Sequence, residues 1–172
     1  MERTTAGHHI YDIVVADESA HHGHDDTDGG YLSEQRNCDI QEFTEHAGGI
    51  LRPLAYKEGI VTMLEFTWTH GSMLNSAEFR HGPLEVVESG VPFIFLLGTD
   101  ASRHTTERAL NFVKRYDSEV ITFDYAELSE GLHPMLAPMV LFVPLEWFCY
   151  YLAIYKDHNP DDRRYYGGIV EY

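Results

Sequence analysis

The chain has 172 residues, 44% of them hydrophobic, and a formal net charge of −16 at pH 7. That is enough for one domain with a single core, and too apolar for global disorder. So acidic a surface repels phosphate backbones, which argues against nucleic acid as a partner.

The elements follow in chain order. Residues 1–47 differ in composition from the rest and are expected to form a separate, partly irregular segment. Within them "IYDIVVA" has the β-branched character of a strand, and "LSEQRNCDIQEFTEH" suggests a helix with a thin apolar stripe. "HHGHDD" has metal-binding residue types without ligand spacing, so a solvated loop is expected and no metal. Cys38 and Cys149 make neither a C-x-x-C pair nor a disulfide framework, which suits a reducing cytoplasm. The opening "MERTTAGHHIYD" lacks an apolar h-region, so no signal peptide is expected.

From residue 48 to 172 the pattern is regular. "LRPLAYKEGIVTMLEFTWTH" predicts a helix starting near Pro53, since proline is tolerated in the first turn. "VPFIFLL" predicts a strand buried on both faces. "ASRHTTERALNFVKRY" predicts a helix with Ala109, Leu110, Phe112, Val113 and Tyr116 on its apolar side. "EVITFDY" predicts a second buried strand. Strand, helix and strand in that order indicate a parallel crossover, hence an α/β protein with a three-layer parallel sheet flanked by helices.

"MLAPMVLFVPLEWFCYYLAIY", Met135 to Tyr155, is long enough to cross a bilayer. Pro138, Pro144 and Glu146 within it are expensive in lipid. No membrane partner is expected, and a helix buried inside the domain is the reading adopted. Glu146, a lone acid there, is expected to be a paired structural residue. The chain closes with "DDRRYYGGIVEY" as a tail.

Two residues suggest chemistry. On a helical wheel Val61, Glu65 and Trp68 fall together, with Leu54 and Leu64 on the same arc, so Glu65 is expected inside an apolar stripe. A carboxylate there would be desolvated, with its pKa raised toward the range useful for proton transfer at neutral pH. A buried Glu paired with an Arg or Lys fits the same pattern. Further on, "AEFRHGPLEVV" mounts His81 on a Gly-Pro turn. A desolvated carboxylate plus a held imidazole is the equipment for moving protons on carbon and oxygen.

"EFTWTHGSMLNSAEFRHGP" resembles the second lobe of the sugar isomerase (SIS) family of phosphosugar isomerases, whose helix glutamate and "HGP" histidine stand at this interval. "LRPLAYKEGIVTMLEFTWTHG", "EFRHGPLEVVESGVPFIFLLG" and "RHTTERALNFVKRY" extend the likeness toward the fructosamine 6-phosphate deglycase branch. The resemblance implies a partial SIS-type, flavodoxin-like lobe over residues 48–172. It also implies a small phosphosugar-amine substrate, no cofactor and a cytoplasmic homodimer. By resemblance, Glu65 would move a proton from C1 to C2 of a ketose phosphate bearing an amine on C1, and His81 would assist ring opening. His70, Arg80, Arg163, Arg164 and Tyr165 are carried as substrate-binding candidates, because family tails fold over the site. Arg103 is a further anion candidate, and His104, near a helix start, is expected to be exposed.

Two departures favour the deglycase branch over the aminating one. The aminating members have a lysine where this chain has Thr62, and a tail lysine where it has Gly167. A Schiff-base lysine is needless when the substrate brings its own amine. Against this, nothing in the chain matches the Ser/Thr-rich loop with which the family's first lobe cradles phosphate. A truncated or altered form with weak or no activity, or a non-catalytic phosphosugar-binding or dimerisation module, is therefore also expected.

Overall fold

The computed structural model describes residues 42–171. The predicted strand "IYDIVVA" and the "HHGHDD" cluster lie outside them. Four parallel strands, β1 (Glu42–Ala47), β2 (His70–Asn75), β3 (Pro92–Leu97) and β4 (Glu119–Asp124), form one sheet in the order β2-β1-β3-β4. β1 pairs with both β2 and β3, so it is an interior strand. The helix expected over "LSEQRNCDIQEFTEH" is thus corrected at its end, since residues 42–46 are strand. Pairing on both sides satisfies their backbone groups, which a thin apolar stripe could not have anchored as a helix.

A helical stretch follows β1 directly. A 3₁₀ turn at Gly49–Leu51 leads into α1 (Arg52–Tyr56), a π-helical stretch at Lys57–Thr62 and α2 (Met63–Thr67). Pro53 sits in the first turn of α1, as its missing N–H requires. Trp68 ends the stretch in the left-handed region at φ 51°, so the helix stops before the predicted His70. β2, rich in small and polar residues, gave no strand signal.

β3 carries the core. Phe93, Phe95 and Leu97 pack with Ala109, Leu110 and Val113 of α3 (Arg103–Val113). Ile94 and Leu96 alternate to the opposite face, against the α1–α2 stretch and α5 (Ala137–Tyr155). Helices on both faces of a parallel sheet make the expected three-layer α/β architecture. Two expectations need correction. β4 is the last strand in the order and therefore only half-buried; the short α4 (Tyr125–Leu128) follows it. Tyr116, placed on the apolar side of α3, is exposed because the helix has tightened into a 3₁₀ turn at Lys114–Tyr116.

α5 is buried on one side only, through Ala137, Leu141, Leu145, Cys149 and Leu152. Its other side faces solvent, so the expectation of a helix buried within the domain holds for half its circumference. It is the one helix among the described residues long and apolar enough to cross a membrane by length and composition.

Candidate functional site

Glu65 lies in α2 and is half-buried. The stripe expected to desolvate it is turned outward, and Val61, Leu64 and Trp68 are all exposed. The side that meets the sheet is built instead from Leu51, Leu54, Ala55, Glu58, Thr62 and Met63, with Gly59 in close approach. The wheel misplaced its centre because Ala55 and Gly59 carry little apolar bulk, although they let the backbone settle onto β2. The fully buried carboxylate is therefore Glu58. Burial pushes its pKa up, against the opposing pull of Lys57. Lys57 Nζ stands 3.0 Å from Glu58 Oε1 and also bonds Glu146 on α5. Glu146 is thus a paired structural acid, as expected. The signal for Glu58 was legible: it stands four residues after Leu54, on the same helix side.

His81 is exposed on the turn after β2. Its N–H donates to the Glu78 carbonyl at 2.8 Å. Gly82 follows at φ 122°, a conformation that an L side chain rarely adopts, and Pro83 opens a 3₁₀ turn, Pro83–Val86. Buried Phe79 anchors this turn in the core beside α3. The Gly-Pro pair thus fixes the backbone immediately after His81. Glu65, however, precedes β2 and His81 follows it, so roughly 17 Å of strand lies between their attachment points. No hydrogen bond or ion pair joins them among the described residues.

The tail behaves differently. Lys156 Nζ donates to Thr69 Oγ1 at 2.7 Å. The Arg163 guanidinium lies 5.5 Å from the centre of the Phe66 ring, and that of Arg164 lies 4.0 Å from the Trp68 ring. Residues 156–164 are therefore folded back onto the end of α2, beside Glu65. His70 opens β2 near this end and is exposed, as are Arg80, next to His81, and Tyr165 in the tail.

His158 was not singled out from sequence. Its ring packs 3.8 Å from the Trp68 ring, buried, with Nε2 unpartnered. Burial chiefly, with the charges of Lys156, Arg164 and Arg163, holds its pKa below the usual histidine value. Only the folded tail reveals it.

Arg103, offered as an anion partner, is already engaged. Its guanidinium grips both carboxylate oxygens of Asp124, at 2.8 and 2.6 Å, and donates to the Gly98 carbonyl. His104 is exposed as expected, its Nδ1 against the Ala101 carbonyl.

In parallel α/β sheets, ligands favour the carboxyl-end crevice where strand order reverses. Here that point lies between β1 and β3, where Gly48 and Gly49 meet Ser102 and Asp100. The Asp100 carboxylate accepts from the Ser102 N–H at 2.7 Å, so negative charge already occupies the position that would suit a phosphate. Among the described residues, no group of three or more His, Cys, Asp or Glu side chains could hold a metal ion.

No family model matches the chain. It is 73% identical over 126 residues to fructoselysine 6-phosphate deglycase of Escherichia coli (strain K12), covering 73% of this chain and 37% of the relative. The fructosamine deglycase FrlB of Bacillus subtilis (strain 168) is 34% identical over 124 residues, covering 69% of this chain and 38% of the relative. Among solved structures, a Bacillus subtilis protein assigned to the phosphosugar isomerases superposes with a TM-score of 0.68 at 31% identity. It covers 81% of this chain and 44% of that one. Over its described residues the chain is similar in sequence and fold to these deglycases and phosphosugar isomerases. Its described residues form one SIS-type lobe, and the chain spans 37% of the length of the deglycase it matches.

Proposed function

We propose that this SIS lobe carries the proton-transfer residues of a fructosamine 6-phosphate deglycase. Fructoselysine 6-phosphate is the proposed substrate, with glucose 6-phosphate and lysine as products. The observation that carries the reading is the 73% identity to a fructoselysine 6-phosphate deglycase. In the open-chain ketose, the Glu65 carboxylate takes a proton from C1, giving an enaminol, and returns one to C2. The resulting imine adds water at C1 and releases the amine. His81 relays a proton between the anomeric hydroxyl and the ring oxygen. The substrate's own nitrogen delocalises the developing charge.

The positions of Glu65 and His81, before and after β2, support a division between subunits in which His81 of one copy serves Glu65 of another. The docked tail, with Arg163 and Arg164 beside α2, supports a role for those cations and for His70, Arg80 and Tyr165 in holding an anionic substrate. A cytoplasmic homodimer acting on a small molecule, with no nucleic-acid or membrane partner, follows from this reading.

The coverage of 37% of the relative favours a second reading, in which the lobe binds phosphosugar or pairs with another lobe without turning substrate over. Glucose 6-phosphate release from fructoselysine 6-phosphate, followed by a coupled dehydrogenase, separates the two. The assay is run on the chain alone and then with the relative's remaining segment added in trans. Turnover in either supports the deglycase; binding without turnover in both supports the module.

A further inference from the structure

The docked tail presents a cation that has no acidic partner among the described residues. Arg163 donates to the Pro160 carbonyl and, at 3.1 Å, to the Asp162 carbonyl, so it braces the tail itself. Arg164 is exposed and, among the described residues, makes no hydrogen bond or ion pair. Its guanidinium rests instead 4.0 Å from the centre of the Trp68 ring. Acidic residues outnumber basic ones in this chain by 28 to 12, and Lys57 and Arg103 each hold two carboxylates. Asp161 and Asp162 stand just before Arg164, yet neither pairs with it, and Asp162 accepts from Asn159. A cation left over among so many acids is poised for an acid from outside.

The platform beneath Arg164 is firmly held. The buried His158 ring packs 3.8 Å from the same indole, and Lys156 ties the base of the tail to Thr69. Trp68 stands three residues after Glu65, one helical turn on, so Arg164 is presented next to the proposed base at C1. A guanidinium held against a ring by its face keeps its N–H edge for a planar, two-oxygen acceptor, which a carboxylate is. Phosphate suits the place poorly. The helical stretch over residues 49–67 ends here, and the carbonyl end of a helix disfavours a dianion while favouring an ammonium. An amino acid brings both groups, a carboxylate for Arg164 and an ammonium for the helix end. Lysine joined through its side-chain nitrogen carries them a four-carbon stem away from C1, so the reacting carbon meets Glu65 while the amino-acid end meets Arg164.

We propose that Arg164, held on Trp68 by the docked tail, binds the α-carboxylate of the amino acid attached to C1, so that the lobe selects amino-acid adducts of the sugar phosphate over adducts of simple amines. This assignment rests on the deglycase reading of the site. The test is isothermal titration of the full chain, alone and with the relative's remaining segment added, using two probes. One is fructoselysine 6-phosphate; the other is the cadaverine adduct, which has the same stem and ammonium without the carboxylate. The lysine adduct should bind at least about 10-fold more tightly, the effect of one charge-assisted contact. Arg164→Gln should remove that preference, and Arg164→Lys, which keeps a cation on the ring, should retain part of it. Trp68 emission in a Trp147→Phe background reports whether the tail stays docked in each variant. Equal binding of the two adducts by the parent overturns the proposal, as does failure of both to bind. So does an Arg164→Lys chain that is docked yet shows no preference, or an Arg164→Gln change that weakens glucose 6-phosphate as much as the lysine adduct, since that places the guanidinium on phosphate. Preference without release of glucose 6-phosphate upholds this assignment and defeats the deglycase reading. Release from both adducts at equal kcat/KM does the reverse.

Discussion

A Cβ placed on Gly71 would lie 1.9 Å from the carbonyl oxygen of Gly59. The π-helical stretch that contains Gly59 therefore rests directly on β2, backbone to backbone. Gly71→Ala cannot be relieved by a side-chain rotation, and overpacking of this kind costs about 1–3 kcal/mol. Chemical denaturation should show that loss. Gly82→Ala, where only φ is strained, tests the other kind of glycine constraint and should cost less.

Glu58→Gln should stabilise the chain increasingly as pH rises. Burial raises the folded-state pKa of Glu58 above its unfolded value. Between those two values the native state holds more protons than the unfolded one, so stability falls with increasing pH. A neutral amide removes that slope. Melting temperatures of the two proteins from pH 4 to 8 should diverge upward in favour of the variant, and parallel curves would contradict the assignment.

The Arg103–Asp124 clamp predicts the opposite dependence. Asp124 has its pKa held down, chiefly by the hydrogen bonds from Arg103. Its contribution is therefore present above the usual Asp value, about 3.9, and is lost as pH falls through the lowered one. Arg103→Met should cost about 1–3 kcal/mol at pH 7, the worth of charge-assisted bonds. The gap to the parent should narrow as pH falls below the usual Asp value, measured by urea denaturation.

Docking of the tail turns on His158 and Trp68. The imidazole is held neutral, its pKa below the usual value, so the contact weakens as pH falls from about 6.5 toward that lower value. In a Trp147→Phe background, Trp68 emission should shift to the red over this range. His158→Ala should give the shifted spectrum at pH 7 and faster proteolysis beyond Lys156.

Wherever turnover is found, Glu65→Gln should lower kcat by about 10²–10⁴-fold, the usual effect of a positioned general base. That corresponds to about 3–5 kcal/mol of barrier. Mixing Glu65→Gln chains with His81→Ala chains should restore part of the activity if sites are shared between copies. Absence of recovery would confine both residues to one subunit.

Several elements were readable from local pattern. A continuous apolar run such as "VPFIFLL" has little option but a doubly covered strand, and β3 is buried along its whole length. The amphipathic "RHTTERALNFV" became α3 for an equally local reason. The turn at Gly82-Pro83 was legible because each residue restricts its own backbone. β1 and β2 were missed because their residues, among them Gly71 and Ser72, have weak strand preference, and pairing with neighbours distant in sequence decided their state.

The amino-acid order by itself determined the α/β class, the crossover from β3 to β4, and the placing of an acid on a helix with an imidazole on a turn. All of these follow from interactions within a few residues. The tertiary structure alone decided that Glu58 rather than Glu65 is desolvated, that His158 seats the tail on Trp68, and that one side of α5 is left bare. Burial depends on what covers a face, and the covering groups come from remote parts of the chain.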